Sequence, residues 1–157
     1  MIPALTNKQL EDILCRVPAL AFCGVFPYDQ IPRRVQRYPC SFVVNTDDSK
    51  KPGEHWISLY FDDESECQYF CPLGTEPYGA LFDFVTKNSH RAYYNQTILQ
   101  HPLSNLCGYY CVYHLAHASK GYRLPDVVNQ FSAGNWRKND QKVFKFVNTW
   151  IGEAVGS

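Results

Sequence analysis

The stretch GEHWISLYFDDESECQYFCPLG, residues 53–74, reads as a strand, a polar turn and a second strand. WISLYF and ECQYF carry the aromatic and β-branched residues that suit a pleated, buried surface, and the acidic DDES between them is a turn. The first strand opens on His55 and the second closes on Cys71. With the turn centred on Asp63 and Glu64, paired residues have numbers summing to about 126 or 127, which sets His55 opposite Cys71 or Pro72 and Trp56 beside Cys71. Opposite residues of an antiparallel pair have β-carbons roughly 5 Å apart, so a side chain at 71 can orient the His55 imidazole. Asp62 and Asp63, about seven residues along the strand and on the order of 23 Å away, cannot.

Upstream, CSFVVNT (40–46) is an apolar run expected to form a buried strand, and DDSKKPGE (47–54) a polar turn. Residues 18–40, with four prolines, read as an irregular wrap. Before them, Thr6 followed three positions later by Gln9 forms a capping box, and Leu10, Ile13 and Leu14 share one helical face. Downstream, TEPYGALFDFVTKN places Leu81, Phe82 and Val85 at helical spacing, and RAYYNQTIL (91–99) reads as a strand. LSNLCGYYCVYHLAHASKG is a helix that stops at Gly121 after Lys120. A last helix over 139–154 puts Val143, Phe144, Val147, Trp150 and Ile151 on one face. No repeat, linker or low-complexity stretch interrupts the chain, so residues 1–157 are expected to form a single α+β domain.

The chain of 157 residues, 45% hydrophobic and 15% aromatic, is long enough for one domain with a real core. Fifteen basic and fifteen acidic residues give a net charge of +0, which offers no electrostatic support for tight nucleic-acid binding. RRVQR (33–37) is read as a solvated loop. The N-terminus lacks a basic segment followed by an apolar run, and no stretch is long and apolar enough to span a membrane. Seven cysteines, an odd number without closely repeated pairs, argue against a disulfide framework and for a reducing intracellular compartment.

In QHPLSNLCGYYC, Cys107 stands where a loop runs into a helix. A helix N-terminus presents N–H groups and a positive dipole end, which favour thiolate over thiol and can also bind an oxyanion. Gly108 would let a substrate backbone approach, and Gln100 could add a side-chain amide donor to the oxyanion site. Cys107, Cys111, His114 and His117 are zinc-ligand residue types on one helix. One straight helix cannot surround a tetrahedral metal, so no metal or other cofactor is expected. In that helix Cys111 and Tyr113 are read as core and His114 as a polar-face residue.

The order VNT, GEHW, YFCPLG, Gln100 and LCGYYC resembles the adenovirus protease (adenain) family of cysteine endopeptidases, including relatives encoded by Polinton/Maverick elements. Ubiquitin-like-protein processing proteases share the order more distantly. The resemblance runs from the N-terminal helix to the helix begun by Cys107. It implies a papain-like, adenain-type fold: a small mixed sheet with the nucleophile at the N-terminus of a buried helix. It also implies Cys107 as nucleophile, His55 as base, and Gln100 with the Cys107 N–H as oxyanion donors. Trp56 and Gly108 would line the substrate site. The chemistry would be thiolate attack on a peptide carbonyl, then hydrolysis of the acyl-enzyme.

Such a protease would process capsid or virion precursors of a virus or virus-like mobile element. It would act as a monomer on a polypeptide substrate, in the host nucleus or cytoplasm and in the virion, away from membranes. The alternatives are a pseudoprotease that binds protein through a disabled site, and a ubiquitin-like-protein deconjugase. The family's activating peptide can be tethered through a cysteine between the acidic residue and the nucleophile. No cysteine lies between Cys71 and Cys107, and the neutral chain gives no support for nucleic-acid stimulation, so neither partner is carried over.

Cys71 departs from the pattern, standing where the family has an acidic residue. A neutral thiol is a weak acceptor and supplies no charge. Four readings are open: a tolerated substitution with reduced activity, replacement by another acid such as Glu54 or Asp47, a reversible disulfide with Cys107, or an inactive copy of the fold.

Overall fold

Among the described residues, five strands form one mixed sheet whose spatial order, β1-β2-β3-β4-β5, is also the chain order. They are β1 (Phe22–Pro27), β2 (Cys40–Asn45), β3 (Trp56–Phe61), β4 (Glu66–Phe70) and β5 (Arg91–Tyr94). The outer pairs β1/β2 and β4/β5 are parallel, and the inner pairs are antiparallel. This computed structural model describes residues 2–46 and 55–156, the last six by backbone alone. The segment 47–54, with Asp47, Glu54 and the expected polar turn, lies outside the described residues.

β2 and β3 are buried along their whole length because both faces of the sheet are covered, which is why their sequences read as continuous apolar runs. The pleat sends Phe42, Val44, Ile57, Leu59, Phe61, Cys67 and Tyr69 to one side, against Leu81, Phe84 and Val85 of α2 (Gly79–Asn88). There Phe42, Phe61 and Phe84 meet edge to face at 5.4–5.9 Å between ring centroids. Val43, Trp56, Tyr60 and Phe70 point to the other side. They meet α1 (Asn7–Cys15), α3 (Cys107–Ala118), α4 (Leu124–Val128) and α5 (Trp136–Gly156). The capping box of α1 is formed as expected: Gln9 N–H donates to Thr6 Oγ1 at 3.1 Å, and Thr6 N–H to Gln9 Oε1 at 2.9 Å.

Several expectations are corrected. The irregular wrap contains β1, a half-buried edge strand disguised by Gly24, by Pro27 and by a register shift between Phe22 and Gly24. Asn88, at the end of α2, holds the crossover that follows: its Oδ1 accepts from Val35 N–H at 2.9 Å and its Nδ2 donates to Arg33 O at 3.3 Å. Phe82 is 51% exposed, and the buried face of α2 is carried instead by Leu81, Phe84, Val85 and Asn88. β5 ends at Tyr94, the last helix starts at Trp136, and α4 was not anticipated.

The hairpin register also differs. Ser58 pairs with Phe70 and Phe61 with Cys67, so partners sum to 128. Asp62 N–H donates to Glu66 O at 3.0 Å across a three-residue loop, and Ser65 takes the left-handed φ of 55° that such a loop needs. Asp62 Oδ1 stabilises the loop further by accepting from Glu64 N–H and Glu66 N–H, each at 2.9 Å.

Candidate active site

Cys107 is the first residue of α3 and is 2% exposed. This helix runs through the core, and eleven of its twelve residues are buried. The Cys107 sulfur accepts hydrogen bonds from the backbone N–H groups of Trp56 and Gly108. Burial outweighs these donors and pushes the thiol up to about 11. The expected preference for thiolate at the helix start is therefore overridden by desolvation in the resting protein.

His55 immediately precedes Trp56, so the N–H that reaches the Cys107 sulfur belongs to its neighbour in the chain. His55 Nε2 lies 3.5 Å from Cys71 Sγ. The contact expected from the sequence is present although the register is not the expected one. The ladder stops at the Ser58–Phe70 pair, and the chain then turns at Pro72, leaving Cys71 beside His55. Cys71 is 1% exposed; burial raises its thiol above the ordinary value. That effect is opposed by hydrogen bonds to the sulfur from the N–H groups of Thr75, Leu73 and Gly74 and from the Thr75 hydroxyl. The Cys71 and Cys107 sulfurs are near enough that a negative charge on Cys71 would further disfavour one on Cys107.

Gln100 is buried at 2% exposure. Its backbone N–H donates to Pro72 O at 3.1 Å, which ties the loop before α3 to the turn after β4. Its side-chain Nε2 donates to Ser104 O at 2.9 Å, and its Oε1 is a buried polar atom with no hydrogen-bond partner. Trp56 is 4% exposed and packs in the same core cluster as Cys107. At Gly108 an added β-carbon would lie 3.3 Å from Leu5 Cβ and 3.5 Å from Leu10 Cδ2, so its small size serves the packing of the N-terminal segment against α3.

His114, expected on a polar face, is wholly buried. Its Nδ1 is 2.7 Å from Ser58 Oγ and its Nε2 2.9 Å from Gln68 Oε1, while Phe70 stacks on the ring at 4.9 Å. Gln68 Nε2 donates in turn to Tyr122 O at 3.0 Å. Gln68 Oε1 can only accept, so Nε2 carries the His114 proton and Nδ1 accepts from the Ser58 hydroxyl. Burial lowers the imidazole to about 3, so it is neutral. No local sequence signal separates such a histidine from a surface one. Among the described residues, no group of three or more His, Cys, Asp or Glu is placed to hold a metal ion, and no helix is long and apolar enough to cross a membrane.

No protein-family model matches the sequence, and neither does any curated protein. Solved structures do match. The chain is similar to the ASFV pS273R protease with a TM-score of 0.66 and 17% identity, over 92% of this chain and 66% of that one. It thus spans just under two thirds of that protease. A selenomethionine structure of the same protease matches with a TM-score of 0.50 and 21% identity over 69% of this chain and 43% of that one. The central domain of the uncharacterized Lpg1148 protein from Legionella pneumophila matches with a TM-score of 0.55 and 13% identity, over 99% of this chain and all of that domain. The α+β architecture therefore matches the fold of the ASFV pS273R protease, and in this chain Cys107 stands at the head of the buried helix.

Proposed function

We propose that the chain is a cysteine endopeptidase with Cys107 as nucleophile and His55 as general base. The observation that carries this reading is the hydrogen bond from Trp56 N–H to the Cys107 sulfur, which brings the head of α3 to the residue next to His55. Attack would transfer the Cys107 proton to His55 as the sulfur–carbon bond forms. The tetrahedral oxyanion would be held by N–H groups at the start of α3 and by the Gln100 side chain, once its amide turns from Ser104. Trp56 would wall the site.

The substrate would be a polypeptide, in the sequence-based reading a capsid or virion precursor of a virus or of a Polinton/Maverick-type element. The likeness in fold to the ASFV pS273R protease is in keeping with that class.

A second reading, a protein-binding module on a disabled site, is favoured by the high pKa of Cys107 and by the engagement of the Gln100 donor with Ser104. One experiment separates the two. A peptide library is digested with the wild-type chain and with Cys107→Ala. Cleavage by the wild type alone supports the endopeptidase; no cleavage by either, with retained peptide binding, supports the module.

A further inference from the structure

We propose that Cys23 and Cys40 form a peroxide-reactive dithiol, a modification site separate from Cys107, in which a hydroperoxide oxidises Cys23 and Cys40 closes the product to a disulfide. The two thiols are neighbours on the parallel pair β1/β2, Cys23 exposed and Cys40 buried. Both line one cavity of about 570 Å³, together with Cys15, Phe22, Arg34 and Arg37. Cys40 belongs to the core on the α2 side of the sheet and Cys107 to the core on the other side, so the sheet separates the two thiol sites.

A break in the ladder brings the pair together. Phe22 pairs with Ser41 and Gly24 with Phe42, which leaves Cys23 as the extra residue of β1 between them. The Cys23 thiol donates back to Ala21 O at 3.7 Å, and Ser41 N–H donates to the same carbonyl at 3.2 Å. Ser41 Oγ donates to Leu20 O at 2.8 Å, so the residue after Cys40 is fastened to those before Cys23. Cys67 also lies near Cys40, but on β4, two strand spacings or roughly 10 Å from β2. A disulfide needs Cα atoms within about 7 Å, which favours Cys23 as the partner.

The two thiols have different parts. The Cys40 thiol, with Ser41 N–H and the Arg37 charge, lowers Cys23 below the ordinary value against burial, which makes Cys23 the nucleophile. Its thiolate attacks the terminal oxygen of the hydroperoxide: the S–O bond forms, the O–O bond breaks, and the alkoxide leaves as an alcohol after taking a proton. Cys23 is then a sulfenic acid. Until that point Cys23 and burial hold Cys40 protonated. The sulfenic acid is neutral, so the Cys23 charge no longer opposes ionisation of Cys40. The Cys40 sulfur attacks Cys23, the S–S bond forms, the S–O bond breaks, and hydroxide leaves with the Cys40 proton as water. In all, two thiols give up two electrons and two protons to one hydroperoxide.

Trypsin places Cys23 on residues 17–33 and Cys40 on residues 38–50, so a disulfide between them joins two separate peptides. The test treats the wild-type chain with hydrogen peroxide at pH 7, blocks the remaining thiols with N-ethylmaleimide and maps the digest without reductant. The linked pair is expected as the main oxidation product, and dithiothreitol is expected to remove it. In Cys40→Ser, dimedone is expected to label Cys23, with no linked pair. Cys23→Ser is expected to leave Cys40 reduced and to slow thiol loss about tenfold. Cys107→Ala is expected to form the pair at the wild-type rate.

Cys23 recovered as sulfinic acid beside a free Cys40 in the wild-type chain would overturn the proposal. So would Cys40 linked to Cys15 or Cys67, or a Cys23 left untouched while other thiols oxidise. A pair that forms in wild type but not in Cys107→Ala would make Cys107 the peroxide-reactive thiol and overturn it too. None of these readouts needs peptide hydrolysis, so the outcome is independent of the endopeptidase reading.

Discussion

Ser58 Oγ and His114 Nδ1 lie 2.7 Å apart in the core, joining the third residue of β3 to the middle of α3. His55 precedes one of these elements and Cys107 begins the other, so this bond holds the two halves of the proposed dyad in register. Ser58→Ala leaves a buried imidazole nitrogen without its donor and is expected to destabilise the protein by about 1–3 kcal/mol. Urea unfolding followed by tryptophan fluorescence measures it; a loss below a few tenths would show that the bond does not fasten hairpin to helix.

The same histidine predicts a pH dependence. Its folded-state pKa, about 3, lies below the ordinary value of 6.5, so the folded state favours the neutral ring. This contribution is fully present above pH 6.5 and is lost as pH falls from there toward 3, at up to about 1.4 kcal/mol per pH unit. Urea midpoints at pH 7, 5 and 4 should fall accordingly. The slope should flatten in His114→Gln, and an equal slope in that variant would assign the effect to other groups.

Cys23 is expected to be the fastest thiol to alkylate in the resting protein. The neighbouring Cys40 thiol, helped by Ser41 N–H and the Arg37 charge, lowers the Cys23 thiol below the ordinary value against the opposing effect of burial, and the residue is exposed. A lowered thiol carries more thiolate at neutral pH than an ordinary cysteine and reacts faster. Iodoacetamide labelling mapped by mass spectrometry should find Cys23 first at pH 7 and much less of it at pH 5. Cys23→Ser should abolish the fast phase, whereas persistence of that phase would place the reactive thiol elsewhere.

Gly74→Ala should cost more than Gly79→Ala, although both glycines have positive φ. At Gly74 the new β-carbon would meet Gln96 O at 2.7 Å; at Gly79 nothing lies within 4 Å. The Gly79 variant pays the left-handed backbone penalty alone, about 1–2 kcal/mol. The Gly74 variant must also shift the turn under Cys71, so its thermal midpoint should be the lower of the two. The reverse order would mean that the turn yields freely.

For the proposed reaction, Gln100→Ala should reduce kcat about 100- to 1,000-fold with little change in KM, the pattern of a donor that acts on the transition state. Steady-state hydrolysis of a cleaved peptide reads it directly. A change in KM alone would make Gln100 a binding residue.

What could be read in the chain alone was local. Thr6 and Gln9 mark the start of α1, the apolar runs at 40–46 and 56–61 mark the buried strands, and the small, polar approach to Cys107 marks the head of α3. Each signal is carried by neighbours in sequence, through capping, pleat or helical period. β1 escaped because glycine, proline and a register shift erase its alternation.

Tertiary structure decided the rest. Only the closed loop at Asp62–Glu66 sets the register at 128, and only the turn after β4 gathers Leu73, Gly74 and Thr75 around the Cys71 sulfur. The polarity of His114 became visible once Ser58 and Gln68 came from the sheet to meet it. Composition and spacing named His55, Cys71 and Cys107 as residues of interest. Their ionisation depends on which side chains exclude water and which N–H groups point inward, and both are properties of the packed chain.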